Sequence, residues 1–206
     1  MKSIFLRIAS SLVLGLGALA LSPAHAASFD TLDPVQPSDT PGKVEVLEFF
    51  SYSCPHCARI EPLLEAWQAT LPDNVVFKGV PVAFNASMRD LQKLYYALEA
   101  IDRMDLHAAA FKAIHEERKQ IFTANDIIDW VAAHGVDRDT FTDVFNSFGV
   151  QTKIRRADEL TQSYKIDGTP SLAIGGRYVT SPSHTGSYQG AVDEADRLLK
   201  DLLAGS

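Results

Sequence analysis

Cysteine is nearly missing from this sequence. Two residues among 206 carry a thiol, Cys54 and Cys57, which excludes a scaffold stapled by several disulfides. Positive charge is in deficit too: 19 Lys and Arg stand against 26 Asp and Glu, so a nucleic-acid surface, which needs a basic face, is not expected. Only one long apolar run occurs, Ile8 to Leu21. It has about 14 residues, whereas a membrane-spanning helix needs roughly 20. There is no internal repeat and no low-complexity segment.

The single apolar run has another use. Lys2 and Arg7 precede it, and Ser22-Pro23 with Ala24-His25-Ala26 follow, which is the order of a secretory signal peptide cut after Ala26. Residues 1–26 are therefore expected to be removed on export, leaving a soluble chain with no cysteine at the cut to carry a lipid. Loss of Lys2 and Arg7, with no carboxylate lost, moves the formal charge from −7 to −9. The remaining length suffices for one domain with its own core, or one domain carrying an insertion.

Residues 27–42 hold Pro34, Pro37 and Pro41 among Asp, Ser and Thr and are expected to be an extended lead-in, with regular structure starting after Gly42. Val44 to Phe50 is a nearly continuous apolar run, as in a strand covered on both faces. After Pro55 the positions Ile60, Leu63, Leu64, Trp67 and Leu71 follow helical spacing, and Val75 to Val82 resembles a second strand. Strand, helix and strand over 43–86 make a parallel unit. Residues 87–149 change to helical stripes: Met88 to Ile101, Leu106 to Ile114, Ile127 to Val131, and Phe141 with Val144, Phe145 and Phe148. Asp105, Asn125 and Asp139 are candidate N-caps and Gly135 a candidate helix end. Residues 150–206 return to the first pattern: a helix to Tyr164, a hairpin of Ser171–Ile174 and Arg177–Thr180 about Gly175-Gly176, and an amphipathic final helix.

The cysteines thus fall at the start of a helix that follows a buried strand. There, unpaired backbone N–H groups and the positive end of the helix dipole favour a thiolate, and Cys-x-x-Cys next to a parallel unit is a thioredoxin-like redox pattern. Cys54 is the expected nucleophile and Cys57 its partner one turn later. Pro55 suits the first helical position, and His56, when protonated, places positive charge near Cys54. Two other uses of the pair compete. A structural disulfide closing so short a loop would contribute only about 2 kcal/mol, and structural zinc usually takes four protein ligands. His107, His115, His134 and His184 show no metal spacing and are expected to be solvated. Glu48 is a carboxylate inside an apolar strand, where an isolated charge is costly; it is either a proton carrier for the cysteines or a strand-end group reaching solvent.

The run Val46 to Cys57, containing Cys54-Pro55-His56-Cys57, together with the helical insertion and Gly168-Thr169-Pro170, resembles the DsbA family of periplasmic disulfide-forming proteins over nearly all of the mature chain. The resemblance implies an α/β, thioredoxin-like fold with an inserted helical domain. It also implies a cis Thr169-Pro170 bond facing the cysteines, where Thr169, Pro170 and His56 contact substrate, and an acidic residue, Glu48, beneath them with Lys78 nearby. The family often has valine where Thr169 stands. The activity implied is introduction of disulfides into exported proteins with free thiols, followed by reoxidation by a quinone-linked membrane partner of the DsbB type. The chain would act as a monomer in the periplasm, with no bound cofactor beyond its own Cys54–Cys57 disulfide. An isomerase or reductase is the alternative within redox chemistry, and a thiol-based metal carrier the alternative outside it.

Overall fold

The structure, a computed structural model, describes residues 27–205; the expected signal peptide lies outside the described residues. Its centre is β2 (Val44–Phe50), in which all residues after the first are buried. The strand is satisfied on both edges, by β3 (Val75–Pro81) in parallel and by β4 (Ser171–Ile174) antiparallel. A parallel pair cannot be closed by a tight turn, and α1 (Pro55–Gln68) supplies the crossover. Beyond β4 lie β5 (Tyr178–Thr180) and β1 (Asp30–Thr31), giving the order β1-β5-β4-β2-β3.

Side-chain alternation in β2 sorts the two faces. Val46, with Leu172 and Ile174 of β4, packs among Ile60, Leu64 and Trp67 of α1 and Ala195, Leu198 and Leu199 of α8 (Tyr188–Ala204). Leu47 and Phe49 face the other way, into one core shared with α6 (Phe148–Ser163) and the inserted helices. Those helices are α2 (Arg89–Ala100), α3 (Leu106–His115), α4 (Ala124–Ala133) and α5 (Arg138–Phe145), entered through a 3₁₀ turn at Ala86–Met88. A short helix, α7 (Pro182–Thr185), precedes α8.

Several expectations need correction. The lead-in is not unstructured: β1 pairs with β5, the Leu32 N–H donates to the Arg177 carbonyl at 2.7 Å, and Leu32 is buried. Without it β5 would present an open edge, which is why a proline-rich, polar segment is held in register. The hairpin turn has three residues rather than two, with Ile174 opposite Tyr178 and both Gly175 and Gly176 at positive φ. A Cβ on Gly176 would lie 2.0 Å from the Gln36 carbonyl oxygen, so the lead-in also requires glycine there.

Thr123 and Asp137, not Asn125 and Asp139, cap α4 and α5, accepting the N–H groups of Asp126 and Thr140. Asp105 precedes α3 but its side chain caps nothing. Phe148 does not belong to the α5 stripe. It opens α6 and is 79% exposed, because α5 ends at Phe145 with Asn146 as its C-cap and Ser147 caps a new helix.

Candidate active site

Cys54 is the N-cap of α1, with extended backbone (φ −88°, ψ 115°), and its Sγ accepts the Cys57 N–H at 3.4 Å. The same sulfur lies 3.3 Å from the Thr169 carbonyl, to which the thiol donates. Cys54 is partly exposed and Cys57 fully buried, and both are free thiols. Their acidities diverge. The Cys57 thiol first, then Thr169 and the backbone N–H groups of Cys57 and His56, outweigh partial burial and bring Cys54 down to about 5. Burial, followed by the neighbouring Cys54, drives Cys57 far upward. One sulfur is thus a thiolate at neutral pH and the other must hold a proton.

The Thr169-Pro170 bond is cis and sits across from Cys54, so Thr169 meets the cysteine both through its carbonyl and through its side chain, whose hydrogen bond favours the thiolate. His56 is exposed, and its Nδ1 is hydrogen-bonded to the Tyr188 hydroxyl at 2.7 Å. Tyr188 is the first residue of α8, so this bond links the N-termini of α1 and α8. Between them opens a groove of about 860 Å³ lined by His56, Tyr164, Ile166, Thr169, Pro170 and Tyr188 among others. None of its lining comes from the inserted helices.

Glu48 is 2% exposed, and its Oε1 has no hydrogen-bond partner among the described residues. It does not reach solvent at a strand end. Burial, then the charges of Glu61 and Cys54, push its carboxyl well above the usual range. Lys78 is not its neighbour: in the β2–β3 register Lys78 lies beside Leu47, on the opposite face, where its Nζ bonds Glu45 and Thr40. Glu48 therefore has no basic hydrogen-bond partner among the described residues, and burial favours its protonated form.

Two histidines were misplaced by the sequence. His107 is not solvated: its Nδ1 is 2.7 Å from the Tyr52 hydroxyl and its Nε2 is 3.2 Å from Glu61 Oε1. His115 Nε2 meets the Tyr52 carbonyl oxygen at 2.8 Å. The signal was present, since His107, Phe111 and His115 fall four residues apart on the same buried stripe of α3 as Ile114. His134 and His184 are likewise engaged, with the Trp130 carbonyl and with Ser181 and Asp30. Among the described residues no group of three or more His, Cys, Asp or Glu is arranged to hold a metal ion.

The model of the DSBA-like thioredoxin domain matches residues 69–197. A relative named thiol:disulfide interchange protein DsbA, from Bordetella parapertussis, is 53% identical over 175 residues, 84% of each chain. The chain belongs to the DsbA family. A relative of the same name from Burkholderia cepacia is 39% identical over 98% of each chain. The crystal structure of Pseudomonas aeruginosa DsbA superposes with a TM-score of 0.83 at 31% identity, over 87% of this chain and 94% of that one. The fold is the thioredoxin-like DsbA fold, and the protein is a thiol:disulfide oxidoreductase. The family model begins after both cysteines, so the part each residue plays rests on the geometry above.

Proposed function

We propose that Cys54 and Cys57 are the redox pair through which this oxidoreductase donates disulfides to exported proteins, and that Glu48 carries the proton for Cys57. A substrate thiolate attacks Cys54 Sγ. The Cys54–Cys57 bond breaks, and Cys57 keeps the electron pair and takes a proton from the Glu48 carboxyl. A second substrate thiolate then attacks the sulfur joined to Cys54, the substrate disulfide forms, and Cys54 leaves as its thiolate. The substrate loses two electrons and the cysteine pair gains them. Thr169 and Pro170 with His56 form the edge of the groove that holds the substrate chain, which docks as an added strand. No bound cofactor enters this cycle.

The observation that carries the direction is the acidity of Cys54, brought to about 5 by its hydrogen bonds. Stabilising the thiolate stabilises the reduced pair, and a stable reduced form makes the disulfide a better oxidant. At neutral pH two units of thiolate stabilisation correspond to roughly 2.7 kcal/mol. Solvent screening of a half-exposed sulfur lowers this to about 1–2 kcal/mol. A reductase would lose driving force from that bias, whereas an isomerase, which also attacks through a thiolate, is told apart from a disulfide donor by the transfer experiment below.

The secretory pattern of residues 1–26 supports work in the periplasm, membership of the DsbA family supports reoxidation by a quinone-linked membrane partner of the DsbB type, and the proposed working form is a single subunit. The test is oxidative refolding of a reduced two-cysteine protein with stoichiometric oxidised enzyme. Disulfide should appear in the substrate as it disappears from Cys54–Cys57, and Cys54→Ser should abolish transfer; transfer retained by that variant would refute the assignment.

A further inference from the structure

Cys57 is sealed from water, so each redox cycle must move a proton through protein. Its carrier, Glu48, faces a cavity of about 350 Å³ between α1 and the inserted helices. Glu61 and His107 line the same cavity. Glu61 is largely enclosed, with 14% of its side chain exposed against 13% for His107. Two buried carboxyl oxygens, Glu48 Oε1 and Glu61 Oε2, have no partner there among the described residues.

We propose that His107, supplied by the inserted helices, is a positioning residue for the Cys57 proton step: it holds Glu61 beside Glu48 and ties both to the active-site loop through Tyr52. This rests on the reading of Glu48 as the proton carrier. With a neutral imidazole the hydrogen bonds have one polarity. Burial keeps the Tyr52 phenol protonated, so its O–H donates to His107 Nδ1, and the imidazole, protonated on Nε2, donates to Glu61 Oε1. Ring packing of His107 against Phe50, Tyr95 and Phe111 fixes the imidazole in place. Held there, the Glu61 charge raises the proton affinity of Glu48. Glu65 of α1, Tyr95 and Glu99 of α2 and Asp105 of α3 complete the titratable lining. All except Tyr95 are carboxylates, so His107 is the one basic group among the described residues that line it.

During reoxidation the step reads as follows. Cys54, bonded to an outside thiol, awaits Cys57; the Cys57 proton passes to the Glu48 carboxylate, Cys57 Sγ attacks Cys54 Sγ, the intramolecular disulfide forms, and the outside thiol leaves with its electron pair. The pH at which this step accelerates therefore reports the proton affinity of Glu48. Releasing Glu61 into solvent lowers that affinity.

The experiment mixes reduced full-length mature protein with excess oxidised glutathione and follows the Cys57-dependent resolution step across pH, with the Cys54 thiolate titration as control. His107→Phe keeps a ring in the aromatic cluster but loses both hydrogen bonds, and Glu61→Gln removes the charge. Both should move the midpoint to lower pH by about half a unit or more, roughly threefold in rate on the rising limb. His107→Gln, which retains a donor and an acceptor, should follow the parent, and the Cys54 titration should stay fixed in all three. A folded His107→Phe whose profile superposes on the parent's, a shift of opposite sign, or a His107→Gln displaced like the phenylalanine variant overturns the proposal. If His107→Phe does not fold, Glu61→Gln and His107→Gln decide it by the same criteria. Glu48→Gln separates the two readings. A profile unchanged by Glu48→Gln defeats the proton-carrier reading and this inference with it, whereas one flattened by Glu48→Gln alone defeats only the role of His107.

Discussion

Replacing Cys57 by alanine removes one hydrogen-bond donor from Cys54 and leaves the others in place. The Cys57 thiol is the largest single cause of the lowered acidity of Cys54, ahead of Thr169 and the backbone N–H groups of residues 57 and 56. An alanine at 57 keeps its own N–H, which points at Cys54 Sγ from 3.4 Å, and keeps the helix end. A hydrogen bond to a charged group contributes about 1.5–3 kcal/mol. A sulfur donor to a partly exposed sulfur belongs at the low end, about 1.4 kcal/mol, which is one pH unit. The Cys54 midpoint should therefore rise from about 5 by about one unit. Ultraviolet absorbance of the thiolate against pH measures it, and the pH dependence of alkylation by iodoacetamide checks it independently. A midpoint unmoved in Cys57→Ala would refute the leading role of the Cys57 thiol and leave the effect to Thr169 and the backbone N–H groups.

Three further outcomes follow from the same geometry. Because Cys54 is depressed from 9.0 to about 5, its contribution to the stability of the dithiol form is complete above pH 9 and lost as pH falls through 5. The melting-temperature gap between reduced and oxidised protein should widen with pH across that window, and a flat gap would contradict the assignment. Gly79→Ala would place a Cβ 2.5 Å from the Tyr95 hydroxyl, where Tyr95 accepts the Gly79 N–H. Urea unfolding should show a loss of about 1–3 kcal/mol, and a neutral result would deny the close approach. Lys78→Met strands the buried Glu45, whose carboxyl is held below its ordinary value because bonds from Lys78, Thr40 and the Asp39 N–H outweigh burial. The cost should be about 1–2 kcal/mol at neutral pH, since Lys78 is partly solvated. It should shrink as pH falls below the usual carboxylate range, and a pH-independent cost would exclude the ion pair as its source.

How much was legible depends on how far each residue's partner lies along the chain. The β2–α1–β3 unit and Cys54 at the helix start are local consequences of apolar periodicity and Pro55, and they stand where the sequence placed them. The inserted helices were readable for the same reason, with errors at their caps, where Thr123 and Asp137 offered the same chemistry two residues earlier, and at Phe148, which opens the next helix. What escaped was long-range. Nothing in a segment containing Pro34 and Pro37 announces that Leu32 will cover the edge of β5. Lys78 could be assigned to Glu48 or Glu45 only once the strand register was known, because a shift of one residue exchanges faces. Tyr188 and His107 reach His56 and Glu61 from elements remote in sequence. A histidine on a helix looks solvated until the aromatic cluster around it is assembled.

The central claim is that the site favours the reduced pair and so drives oxidation of others. Equilibrating the purified protein with defined ratios of reduced and oxidised glutathione, and scoring the redox state of Cys54 and Cys57 after acid quenching, tests it directly. The pair should stay largely reduced in buffers that leave ordinary structural disulfides intact, with a potential well above that of thioredoxin, about −270 mV. A pair as reducing as thioredoxin's would contradict the account, whatever the fold.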